Sequence, residues 1–223
     1  MRRLGRADYA VRRVRQTSAM REPHVVAVNR DDMHRFSKAT VDAISVVAGL
    51  GVVGDAHAGT LVQHRSRVRR DPNQVNLRQV HLIHSELFDE ARAMGYELSP
   101  GDLGENVLTA GIDLLALPTG TVLRIGDAAL RLTGLRNPCA QINAFRPGLL
   151  KVVLAKADGT PTDTPAPRTG PPDEGTTATA AAPAPMIRKA GVMSVVDVSG
   201  EIRPGQRIVV ELPDEPHQPL QPV

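Results

Sequence analysis

Short apolar runs alternate with glycine-rich polar stretches along most of this chain, and most of the runs are of strand length. Residues 24–29 (HVVAVN) form the first of them and are followed by polar residues 30–38. Residues 40–53 are apolar and rich in β-branched side chains. A glycine-punctuated segment follows, with Gly49, Gly51, Gly54 and Gly59 around Asp55, His57 and His64. Residues 74–83 end in a strand-like QVHLI, after which Ser85 is placed to cap a helix over residues 86–94 that Gly95 terminates. Leu87, Ala91 and Met94 recur at helical spacing within it. Residues 111–133 read as β, with 121–125 and 128–133 joined through Gly126-Asp127 as a hairpin. The apolar run 149–155 suits either a short helix or a strand. Strand patterns return at 187–198 and 207–212, with the turn chemistry of a barrel rim (GEIRPGQ) between them. The pattern predicts a mainly β fold with a few helices, of α+β class.

Three stretches break the pattern. Residues 160–185 hold seven prolines among Thr and Ala, with hardly any large apolar side chain, and are expected to be a disordered insertion. Residues 213–223 are Pro-rich and read as a flexible tail. Residues 1–23 read as a disordered arm. Within it, residues 1–22 carry seven Arg against Asp8 and Glu22, a net +5 in a chain of net +3, so the remainder is −2. One domain over residues 24–212 is the organisation expected.

Charge and composition narrow the function. The nearly neutral body and an aromatic content of 2% argue against a specific nucleic-acid surface, since there is neither a basic face nor a row of stacking rings. One cysteine in 223 residues excludes an internal disulfide scaffold and suits a reducing, cytoplasmic setting. No apolar run reaches the length of a membrane span, so no membrane association is expected.

The candidate chemistry centres on Gly134-Leu135-Arg136-Asn137-Pro138-Cys139, which follows the hairpin directly. A lone thiol is a small buried hydrophobe or a reactive group, and a neighbouring guanidinium favours the thiolate. The segment His64-Arg65-Ser66-Arg67-Val68-Arg69-Arg70 concentrates positive charge, as a solvated loop or as an anion cradle. His81 and His84 are poor metal ligands, because an offset of three on a strand points them to opposite faces. In Pro100-Gly101-Asp102-Leu103-Gly104-Glu105-Asn106, two carboxylates either form an acid/base couple or satisfy loop backbone groups.

Taken together, GLRNPC with the preceding LPTGTVLRIGDAALRLTG, PGDLGENVLTAGIDL, GDAHAG, IRKAGVM and GEIRPGQ resembles the MOSC domain family, named after the C-terminal domain of molybdenum-cofactor sulfurase. The resemblance implies a twisted β-barrel with peripheral helices. It implies that Cys139 either carries sulfur as a persulfide or ligates molybdenum of a pterin cofactor. It also implies a cofactor pocket drawn from His57, His64, Arg65, Asn106, Arg136, Asn137, Arg188 and Lys189. Pyridoxal phosphate chemistry would come only through a partner cysteine desulfurase, and electrons for a small-molecule substrate from an electron-donor protein. Oligomerisation is compatible with this. Three functions remain open on the sequence: a sulfur carrier of sulfurtransferase type, a molybdenum-dependent reductase of N-hydroxylated compounds, and a β-barrel adaptor whose cysteine is only packed.

Overall fold

The computed structural model describes residues 22–63, 68–69, 71–156 and 186–223. The expected arm and the 160–185 insertion therefore fall outside the described residues, apart from residues 22 and 23. The central strand is β5 (Val80–His84), in which every residue is buried, because the sheet it belongs to is covered on both faces. Val80 and Leu82 enter one apolar cluster with Val25, Val28, Val107, Leu123 and Leu130. Ile83 points the other way, with Ala27 and Leu108, into a second cluster formed with the helices. The period-2 alternation of side chains thus divides one set of strands between two cores.

Around β5 an eight-stranded sheet takes the order β13 (Ile208–Glu211), β7 (Val122–Ile125), β8 (Ala128–Leu135), β11 (Val192–Val198), β5, β6 (Val107–Ala110), β1 (His24–Arg30), β2 (Ala39–Val41). All pairs are antiparallel except β5 with β6, which are joined by a crossover containing helix α1 (Glu86–Ala93). A second sheet joins β12 (Gly200–Ile202), β3 (Ile44–Val47) and β4 (Gly51–Val52), and a third joins β9 (Leu154–Lys156) to β10 (Met186–Arg188). GEIRPGQ therefore begins with a strand and is not only a turn. The apolar run at 149–155 is both things it suggested: helix α3 (Leu150–Val153) passes directly into β9. Helix α2 (Gln141–Phe145) precedes it. Ser85 stands before α1 in helical conformation, and its side chain makes no capping bond.

Mainly β structure with a few helices agrees with the sequence reading, whereas a closed barrel does not describe the sheets. The edge strands β13 and β2 do not pair with each other, because β1 gives its outer edge to β2. The start of β1 and the segment entering β13 are joined only locally, through Val25 N to Gln206 O at 2.9 Å, Gly205 N to Val25 O at 2.8 Å, Ile208 N to Pro23 O at 2.8 Å and an isolated antiparallel bridge between His24 and Arg207.

The tail departs further from expectation. Thr119 N donates to Gln218 O at 2.8 Å, Leu135 N to Gln221 O at 2.8 Å, and Val223 N to Leu135 O at 3.2 Å. Leu220 is buried in the first apolar cluster. Proline lacks an N–H, but here the residues between the prolines carry the hydrogen bonds and one leucine supplies the anchor. Gly134 is needed for this docking, since a Cβ there would collide with Gln221 O and meet Val223 Cγ1 at 2.6 Å. Replacing Leu220 by Ala is expected to lower stability by about 2–3 kcal/mol, read as a shifted midpoint in urea denaturation, whereas a loose tail would leave the midpoint unchanged.

Candidate functional site

The polar residues that matter lie where four loops meet: the approach to β2, the loop after β4, the loop before β6 and the loop leaving β8. Lys38 comes from the first, and its side chain is buried. Its Nζ donates to Asp55 Oδ2 at 2.6 Å, in the loop after β4. Asn106 Nδ2, from the loop before β6, donates to the same oxygen at 2.8 Å and to Asn29 O at 3.2 Å. Asn106 Oδ1 accepts from His81 N at 3.2 Å. Asp55 Oδ1 takes His57 N at 2.9 Å and His57 Nδ1 at 3.2 Å. Burial alone would raise the pKa of Asp55, but the bond from His57 and the charge and bond of Lys38 outweigh it and hold the carboxyl well below its ordinary range. Lys38 is lowered by burial, an effect its bond to Asp55 partly offsets.

The glycine-rich loop before β6 is built from its backbone outward. Gly101 has φ +86, and a Cβ there would collide with the Lys38 carbonyl. Of the two carboxylates, Asp102 Oδ2 accepts from Ser99 N at 2.9 Å and Glu105 Oε1 from Gly101 N at 2.5 Å, so both satisfy loop backbone. Glu105 is fully buried, its Oε2 has no partner among the described residues, and burial pushes its pKa up to about 7. His81, buried behind this loop, donates from Nε2 to Ala190 O at 2.8 Å. Burial, and after it the charge of Arg136, drives its pKa well below the ordinary 6.5, so the ring is neutral.

Beyond β8 the chain is held by Arg136 N donating to Gly191 O at 2.9 Å. The Arg136 guanidinium turns inward beneath the Phe36 ring, 5.8 Å from its centroid, and Phe36 leans on Phe145 at 5.4 Å. Its Nη1 is buried without a partner among the described residues. Burial lowers the pKa of Arg136, and the nearby Cys139 and Glu105 partly offset that. Cys139 is half-buried, and Sγ makes one weak contact, to Gln141 Oε1 at 3.5 Å. Asn137 Oδ1 accepts from Arg188 Nε at 3.3 Å, which brings a second guanidinium to the same loop.

Of the residues singled out in the sequence, Arg136 is close enough to Cys139 to interact with it electrostatically, and Arg188 reaches the same loop through Asn137. His57 belongs to the Asp55 end. Asn106 is buried and its amide is consumed in holding the loops together. Lys189 turns to Glu90 Oε2 at 2.6 Å on α1. His64 and Arg65 lie outside the described residues. Lys38 and the structural weight of Asp55 and Glu105 were missed. Glycines flank the two acids in the sequence, a sign of tight loops, while nothing marks Lys38.

An open, mainly β fold carrying a solvent-reachable thiol over a buried cationic cluster is the class of protein defined so far. Residues 69–209 match the MOSC domain family, and the chain belongs to it. That family is associated in general with molybdenum-cofactor binding. Among solved structures, the chain is similar to the YuaD protein from Bacillus subtilis, with 21% identity over 86% of this chain and 97% of that chain and a TM-score of 0.61. It is similar to YiiM from Geobacillus stearothermophilus, with 15% identity over 88% of this chain and 79% of that chain and a TM-score of 0.53. At these identities the likeness is one of fold. Comparison with curated protein sequences gives no match.

Because the Glu105 pKa is raised in the folded state, its contribution to stability is complete below the ordinary 4.5 and is lost as pH rises toward about 7. Glu105→Gln keeps an acceptor for Gly101 N and removes the titration. The variant is expected to lack a fall of about 3 kcal/mol between pH 4.5 and 7, measured by urea unfolding across that range; identical pH profiles would refute the assignment.

Proposed function

We propose that this protein is a molybdenum-cofactor-binding member of its family, with Cys139 as the thiolate that ligates the metal. The observation that carries this is the buried Arg136 Nη1 without a partner, next to a thiol with one weak contact. An unpaired buried guanidinium is costly, and an anion relieves that cost. Among the described residues there is no group of three or more His, Cys, Asp and Glu side chains arranged to hold a metal ion. A metal joined to Cys139 would therefore need ligands of its own, as a pterin dithiolene provides, and soft thiolate ligation suits that chemistry. Arg136 and Arg188 would take anionic groups of the cofactor, with Asn137 fixing Arg188. When bound, the cofactor would supply two-electron redox chemistry. The chain's own part is to hold the thiolate, neutralise the anion and bury the guanidinium away from water. Reduction of N-hydroxylated small molecules, with electrons from a donor protein, is the activity that fits such a site.

A second reading is favoured by the partial exposure of Cys139, which a partner protein could reach. There the thiolate takes sulfur from a cysteine desulfurase as a persulfide and passes it on. The two readings separate experimentally. Protein produced in a cofactor-competent host is expected to contain close to one molybdenum per chain by elemental analysis, and Cys139→Ser to contain at least tenfold less; a metal-free wild-type protein would refute the first reading. For the second, mass spectrometry after incubation with a desulfurase and cysteine should find a 32-Da gain at Cys139, and its absence would exclude sulfur transfer by that route.

A further inference from the structure

Glu105, from the loop before β6, and Arg136, from the loop leaving β8, are both buried, and each keeps an atom without a partner among the described residues, Oε2 in one and Nη1 in the other. His81 brings the two loops together. Asn106 N donates to His81 O at 2.8 Å, and the His81 ring faces the backbone of Gly104 on one side and Ala190 O on the other. The carbonyl of the next residue, Gly191, accepts from Arg136 N at 2.9 Å. Each side chain therefore lies in the field of the other, the guanidinium favouring the ionised carboxylate and the carboxylate the guanidinium. Yet no hydrogen bond joins Oε2 to Nη1. The other charges facing Glu105 are the Lys38 ammonium, which is paired with Asp55, and the Asp102 carboxylate on its own loop. His81 is neutral, and Cys139 adds its thiol on the Arg136 side. A buried carboxylate with an unmatched oxygen is costly, and its neutral form less so. Burial outweighs the pull of Arg136 and leaves Glu105 titrating at about 7. An anion on Arg136 would cancel that pull and add a repulsion between like charges, and both changes favour the protonated acid. Oε1 accepts from Gly101 N in either form, so the loop keeps its conformation.

We propose that the anion site at Arg136 is coupled to a proton: Glu105 takes up a proton when an anion binds to Arg136 and loses it when the anion leaves, so anion and proton enter and leave this pocket together. The proton comes from solvent and bonds to Oε2; no electron is transferred and no other bond breaks. Glu105 acts on the anion through Arg136, as a regulating residue of the site. This rests on the reading of Arg136 as an anion-binding residue, and it gives that site a pH dependence. Affinity is highest below about 7 and falls as Glu105 ionises above it. By reciprocity, a bound anion displaces the Glu105 titration upward by the factor through which pH changes the affinity.

The test uses the full chain without cofactor, carrying Cys139→Ser so that the thiol contributes no proton. Inorganic sulfate is the probe, because it does not itself titrate near neutral pH. Calorimetric titration at about pH 7.5 in two buffers of different ionisation enthalpy counts the protons taken up, and roughly half a proton per bound sulfate is expected. Affinity should fall about fivefold or more between roughly pH 6 and pH 8.5. Adding Glu105→Gln should abolish the uptake and flatten the pH profile, and adding Arg136→Gln should abolish the proton-coupled binding. Sulfate binding with no proton uptake, or equal uptake in the Glu105→Gln chain, would overturn the coupling and leave the anion site standing. No sulfate binding at either pH would sink the coupling and the anion-binding reading of Arg136 together. Should Glu105→Gln fail to fold, carbon-13 titration of the glutamate carboxyl groups still decides. One carboxyl is expected to titrate near neutral pH and to move upward by about one unit in saturating sulfate; a titration that sulfate leaves in place would refute the proposal.

Discussion

The contact on which the rest of the site depends is the buried ion pair between Lys38 and Asp55. It joins the approach to β2 to the loop after β4, and Asn106 ties the loop before β6 to the same carboxylate. Neither charge has water to fall back on. Removing one partner of such a pair strands the other, at a cost of about 3–5 kcal/mol, so the three loops hold their relative positions or the region unfolds. The pair does more for geometry than for net stability, because desolvating both groups consumes most of the attraction between them. What it secures is a fixed carboxylate at the rim and a fixed glycine turn beneath it.

Arg136 represents the opposite arrangement. It is as deeply placed as Lys38, yet it leaves an N–H unmatched, and its neighbours Glu105 and Cys139 soften that cost without removing it. Among the described residues Asn29 Nδ2, beside the ionic knot, is also buried without a partner, but Arg136 Nη1 belongs to a guanidinium, whose unmatched N–H is the stronger attraction for an anion. The aromatic pair Phe36 and Phe145 lies beside it, and these are two of the three phenylalanines in the chain.

Much of this was legible in the sequence, for physical reasons. Strands such as 24–29 and 121–133 declare themselves because alternation follows from one-sided or two-sided burial, and Gly126 with φ +57 makes the hairpin turn they require. Cys139 and Arg136 could be paired because they are three residues apart. Lys38 could not, since its partner Asp55 is brought to it by folding and nothing local distinguishes a buried lysine from a solvated one. The tail misled for a related reason: its prolines suggest a loose chain, and only the docked position of Leu220 shows otherwise. Sheet closure was equally invisible, because whether β13 meets β2 depends on which strand takes the outer edge of β1.

The strand order carries a consequence for how the molecule comes into being. His81 meets Ala190 across 109 residues of sequence, and Arg136 meets Gly191 through the same late segment. Hairpins such as β7–β8 close early because little chain entropy is lost, whereas β11 must insert between β8 and β5 after most of the polypeptide exists. The back wall of the cysteine loop is therefore among the last parts to form. Until β11 arrives, the protein's one thiol stands on an unfinished edge, open to oxidants and to stray strands, and the speed of that single insertion sets how long the exposure lasts.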